Sequence, residues 1–161
     1  MKKFIIQFVL LTAVIFLALL IYTGKIQSIP FLPGPVRLTE AVINDTNFKV
    51  EVADTQAKRS RGLGGRESLA SDSGMLFIFQ KVDKYPFWMK GLKFPLDFIW
   101  IKDDKVVDIL QNIPQPQPGQ KDEELSIYTS TVPIDKVLEV NAGTVERLDI
   151  KVGDIVKITS Q

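Results

Sequence analysis

Phe87-Trp88-Met89-Lys90-Gly91-Leu92-Lys93-Phe94-Pro95-Leu96-Asp97-Phe98-Ile99-Trp100 is the stretch on which the reading of this 161-residue chain turns. It holds both tryptophans, a lysine inside an aromatic run and an aspartate between apolar neighbours. Segments this apolar are buried, and a charge buried with them must find a partner. Its second half reads as a strand over Leu96–Lys102. Leu96, Phe98 and Trp100 face one way, and Asp97, Ile99 and Ile101 face the other. Asp97 thus falls on an apolar face. Lys90, Arg61 and Arg66 are its candidate cation partners. A carboxylate capping loop N–H groups is the structural alternative.

The flanking sequence reads as more short strands. Phe87–Met89 suits a brief strand and Gly91–Pro95 a bend. Asp103-Asp104 turns the chain into Lys105–Leu110 as a hairpin. Upstream, Gly74–Phe79 is a continuous apolar run fit for a strand buried on both faces. Arg37–Asn44 and Asn47–Ala53 make a hairpin around Asn44-Asp45-Thr46-Asn47. Asp54-Thr55 can cap a short helix over Gln56–Ser60. Residues 59–67 then combine Arg59, Arg61 and Arg66 with Gly62, Gly64 and Gly65. That composition suits anion capture by guanidinium forks and backbone N–H groups, or an ordinary helix stop and exposed turn. It matches no nucleotide-binding fingerprint.

Downstream, residues 112–124 are rich in Pro and Gln and read as a long exposed loop, a candidate lid or partner site. Leu125–Thr131 and Val137–Val140 read as strands, with Glu139 the odd residue out. One or two helical turns follow over Gly143–Leu148, and a final strand over Ile155–Thr159. The expected class is all-β, a mainly antiparallel small barrel or sandwich of eight or nine strands with one or two short helices.

The N-terminus is different in kind. Lys2-Lys3 precede an apolar run from Phe4 to Tyr22 interrupted only by Gln7 and Thr12. As a helix of ~1.5 Å per residue the run spans ~28 Å, enough to cross a bilayer. No A-x-A-like cleavage site follows it, so residues 1–25 read as an uncleaved transmembrane signal-anchor. Lys2 and Lys3 place the N-terminus in the cytoplasm and the body outside, on the periplasmic side or the cell surface. Cleavage would make the protein secreted. Residues 26–36, with three prolines, read as a linker, and residues 37–161 as the folded domain.

Composition excludes several functions. Cysteine and histidine are absent, which removes disulfides, thiol nucleophiles, Ser-His-Asp triads and His/Cys metal sites. No carboxylate spacing matches an EF-hand. The net charge is +1, and with Lys2, Lys3 and Lys25 set aside acids outnumber bases, so no nucleic-acid footprint is present. Neither a metal nor another cofactor is expected.

Arg61-Gly62-Leu63 with Arg66, Gly74-Met75-Leu76-Phe77, Phe87-Trp88-Met89-Lys90 and Pro95-Leu96-Asp97 occur in that order. Val137-Leu138-Glu139-Val140-Asn141-Ala142-Gly143 and Val152-Gly153-Asp154 follow. In these pieces the chain resembles the DUF192 family, also called UPF0127, over roughly residues 37–158. The resemblance implies a compact all-β domain carried behind a signal or anchor segment, and no established activity. Two departures stand out. The family usually has Met where this chain has Gly64, and a polar Asn-Thr pair where it has Gly91-Leu92.

Three functions fit these residues. A membrane-tethered module would bind a small polar or anionic ligand with Arg61, Arg66, Trp88, Met89, Lys90 and Asp97. A hydrolase-like enzyme would use Asp97 as base with Lys90 or Arg66, and a glutamate such as Glu139 as second acid. An envelope protein would dock a partner through the Pro/Gln loop or an edge strand. The sequence favours binding or docking over catalysis and assigns no catalytic residue.

Overall fold

The computed structural model describes residues 2–23 and 36–159. It forms two units, one within Met1–Pro35 and one within Val36–Gln161. The first holds α1, Lys2–Tyr22, a helix long and apolar enough to cross a membrane. Its polar Thr12 hydroxyl donates back to the Val9 carbonyl at 2.9 Å, so the helix satisfies it internally. The expected linker, residues 26–36, lies outside the described residues except for Val36.

The second unit is mostly β. Its strands are β1 (Leu38–Ile43), β2 (Thr46–Ala53), β3 (Ser73–Asp83), β4 (Leu96–Lys102), β5 (Lys105–Ile113), β6 (Ile134–Asn141) and β7 (Val156–Thr159). Two short helices join them, α2 (Gln56–Arg61) and α3 (Thr144–Arg147), with a 3-10 turn at Asp122–Glu124. The sheet order is β5-β4-β6-β3-β2-β1-β7. Every pairing is antiparallel except β2 with β3. At one end the two outer strands meet. Lys105 bridges Ile155, and the Val106 N–H donates to the Asp154 carbonyl at 2.9 Å. The seven strands thus form a half-barrel.

Local chemistry accounts for the elements. Asn44 and Asp45 both take positive φ, 49° and 63°, as a two-residue hairpin turn requires. Thr55 caps α2 by accepting the Lys58 N–H at 3.3 Å. The alternation in β4 divides two cores. Leu96, Phe98 and Trp100 pack with Met75, Phe77, Phe87 and Val137. Ile99 and Ile101 pack with Val50, Leu76, Leu138 and Val145 on the other face.

Three expectations change. Phe87–Met89 and Leu125–Thr131 are not sheet strands. They touch through one bridge, Phe87 to Tyr128, with reciprocal 2.8 Å hydrogen bonds. The Phe87 ring instead packs in T-shaped contacts on the sheet's aromatic side chains, 5.1 Å from Phe77 and 5.2 Å from Trp100. The two lost strands leave seven, while β3 and β5 run further than expected. The long loop accordingly starts after Ile113 and ends in the 3-10 turn.

Candidate functional site

A cleft opens over the first of these cores, the one that holds Phe77, Phe87 and Phe98. Its floor comes from neighbouring strands, Phe77 of β3 and Glu139 of β6. One wall is the C-terminal end of α2 with Gly62 and Leu63; the other is the segment from Pro86 to Leu92. The cleft is open to solvent and its volume is about 60 Å³.

Each wall is pinned by the chain itself. Arg59 donates to the carbonyls of Asp54 (2.8 Å) and Ile78 (2.9 Å), and its guanidinium lies 5.1 Å from the centre of the Phe79 ring. This fastens α2 to β3. Gly62 ends the helix at φ 52°, a conformation that favours glycine, and its N–H donates to the Lys58 carbonyl. The opposite wall is tied across by the Gly65 N–H donating to the Gly91 carbonyl at 2.8 Å. A Cβ at Gly64 would sit 3.1 Å from the carbonyl oxygens of Arg61 and Lys90, so the bare backbone permits this close approach. Leu92, at the other departure from the family pattern, makes that stretch of wall apolar.

Glu139 is the unusual group. It is 5% exposed, beside Met75 of β3 and Phe98 of β4. Among the described residues its carboxyl has no hydrogen-bond partner. Loss of solvent raises its pKa from the ordinary 4.5 to about 8, so it is protonated at neutral pH. A neutral carboxylic acid can donate a hydrogen bond from the cleft floor. Above it stand Arg61, exposed, and Lys90, whose ammonium lies 5.3 Å from the centre of the Trp88 ring. Lys90 also pairs with Asp122 at 2.5 Å, tying the cleft mouth to the 3-10 turn after the Pro/Gln loop. Trp88 is 45% exposed.

Of the six residues singled out in the sequence, Arg61, Trp88 and Lys90 line this cleft together. Met89 is 3% exposed and belongs to the core. Arg66 turns to β2, where it grips Glu51 with two bonds of 2.5 and 2.8 Å. That hydrogen-bonded fork lowers the Glu51 pKa and raises that of Arg66, against the opposing pull of partial burial.

Asp97 lies on the other face of the sheet, fully buried, and none of the expected cations reaches it. Its oxygens accept the Asn112 N–H at 2.8 Å and the Val145 N–H at 2.9 Å. Gln111 and Asn112 oppose Asp97 alone in the β4–β5 ladder, so the carboxylate fills a bulge and anchors α3. Of the two readings of Asp97, the cap on backbone N–H groups holds, and the trio Asp97, Lys90 and Arg66 is not assembled. The residue that does reach the cleft is Glu139. Its signal in the sequence was an acid flanked by Leu138 and Val140 in a buried strand. No group of metal-ligating side chains with suitable geometry occurs among the described residues.

With this geometry in view, comparison with known proteins adds relatives. A family model, DUF192, described as an uncharacterized ACR, matches residues 39–158. A solved structure from Sinorhizobium meliloti, for which a transcription-regulator role has been suggested, is 30% identical with a TM-score of 0.69. The match covers 79% of this chain and 98% of that one. A protein of unknown function from Novosphingobium aromaticivorans is 29% identical with a TM-score of 0.68, covering 81% and 91% respectively. No curated protein matches.

Proposed function

We propose that this chain, which belongs to the DUF192 family, is a membrane-tethered, extracytoplasmic module that binds a small ligand in the cleft over Glu139. The observation that carries the reading is the Glu139 carboxyl itself. It opens onto the cleft and makes no side-chain hydrogen bond among the described residues, so it is free to bond a ligand there. The surrounding aromatic and aliphatic wall with a few charges at its mouth is how small-ligand sites are built. Tethering rests on α1, and its orientation on Lys2 and Lys3 before the apolar run. The domain division of 1–25, 26–36 and 37–161 follows the same logic.

Binding is favoured over hydrolysis because, among the described residues lining the cleft, Glu139 stands without a second carboxyl; Asp122 at the mouth is paired with Lys90, and Asp97 is committed to backbone on the far face. The regulator role suggested for the S. meliloti protein is not carried over, since acids outnumber bases in this body.

The test uses the full chain in detergent micelles. Small acids, amines and sugars are screened for a raised melting temperature and a change in Trp88 fluorescence. At least one class is expected to give both. No response to any class refutes binding. A reporter fused after Gln161 that is active only outside the cytoplasm is expected to be active; a silent one refutes the orientation.

A further inference from the structure

We infer that the cleft takes the carboxylate end of an organic acid, with the Glu139 carboxyl donating to it from the floor, Arg61 and Lys90 flanking it at the mouth, and the body of the acid resting on Trp88. The inference rests on the binding reading and names the ligand class for that site.

Charge selects the class. The ionisable groups facing Glu139 from α2 are Arg59 and Arg61, and from the Pro86–Leu92 wall, Lys90 with Asp122 behind it. Strands β3 and β4 contribute only Met75, Phe77 and Phe98. Arg59 is committed to two carbonyls, whereas Arg61 has no ion-pair partner among the described residues. An ammonium ligand would meet these cations at the mouth and would need Glu139 ionised on an apolar floor. A neutral ligand would leave the guanidinium unused. A carboxylate meets the Arg61 guanidinium, which has no ion-pair partner among the described residues, and the remaining donors of Lys90, whose ammonium also pairs with Asp122; charge-assisted bonds are the strong ones. Size agrees. The cleft is small, about 60 Å³, and opens beside the half-exposed Trp88, against which the body of an acid can lie.

Glu139 keeps its proton in the complex, so binding needs the ligand ionised and Glu139 neutral. Affinity is therefore highest between the ligand's own pKa and about 8, and declines above that.

The experiment titrates the full chain in micelles with two sets of probes. One is benzoate, benzamide and benzylamine; the other is glucuronate, glucose and glucosamine. Trp88 fluorescence reports, with Trp88→Phe as control. The carboxylate of at least one set should bind at least ~10-fold tighter than its neutral and amine counterparts, consistent with one charge-assisted bond. Which set responds tells an aromatic acid from a sugar acid. Above pH 8 the wild-type affinity should fall about 10-fold per pH unit as Glu139 loses its proton. Glu139→Gln, whose amide donates at any pH, should bind without that dependence. Arg61→Gln should weaken binding about 10-fold. Equal or tighter binding of an amine or neutral probe overturns the carboxylate assignment and leaves the binding reading standing. Binding by none of the six overturns the assignment, and with a silent ligand screen the binding reading falls too.

Discussion

Replacing Asp97 with alanine removes the acceptor of two buried amides at once. The side chain is fully buried, and its oxygens receive the Asn112 and Val145 N–H groups at 2.8 and 2.9 Å. Each buried donor left unpaired costs ~1–3 kcal/mol, so Asp97→Ala should lose ~2–6 kcal/mol. That is a large share of the ~5–15 kcal/mol by which domains are stable. Asp97→Asn keeps one acceptor oxygen but points an NH2 at the other amide, so it should lose at least half as much and serves if the alanine variant does not fold. The assay is urea unfolding of the full chain in micelles, with hydrogen exchange read at the two amides. Exchange at Asn112 and Val145 should accelerate ahead of the rest of β4 and β5. A variant within ~0.5 kcal/mol of wild type with both amides still protected would refute the reasoning, since surface-like changes have that size. Loss of cleft binding with stability intact would instead return Asp97 to the ligand site.

Other outcomes follow from the same geometry. Glu139 holds in the folded state a proton that the unfolded chain releases near pH 4.5. Wild-type stability should therefore fall as pH rises from 4.5 to about 8 and then level off. Glu139→Gln should remove this slope and gain up to ~5 kcal/mol over wild type by the upper end, read from urea unfolding at several pH values. Parallel curves for the two proteins would count against an unpaired Glu139. The Glu51 pKa is lowered by Arg66, so the pair stabilises above the ordinary carboxylate range and stops doing so as pH falls through the folded value. Glu51→Gln should cost on the order of 1 kcal/mol at neutral pH and flatten the acid limb. At Gly74 an added Cβ would lie 2.7 Å from the Glu139 carbonyl oxygen, so Gly74→Ala should cost ~1–3 kcal/mol in a melting experiment and disturb cleft binding.

Much of the fold was legible because it is written in side-chain periodicity. The two-sided burial of β4 follows from Leu96 to Ile101, the hairpin from Asn44-Asp45, and the cap of α2 from Thr55. The parallel pairing of β2 with β3 was not legible, because α2 and the glycine-rich turn carry no mark of which edge the chain returns to. The segments around Phe87 and Tyr128 look like strands because aromatic residues favour sheets, but here the rings serve as a lid on the core. Half of the candidate site was visible as charge beside aromatics: Arg61, Trp88 and Lys90. For Asp97 the sequence left open a cation partner or a cap on loop N–H groups, and the structure has the second. Glu139 was noticed as an oddity, yet only the β6 register against Met75 and Phe98 turns it toward the cleft.

The most direct test of the central claim is the titration of the Glu139 side-chain carboxyl by carbon-13 NMR in the full chain. An unpaired acid on the cleft floor predicts a midpoint near 8. A midpoint near the ordinary 4.5 would mean that the carboxyl is hydrated or paired with a cation, and the cleft would lose the donor on which the proposed binding depends.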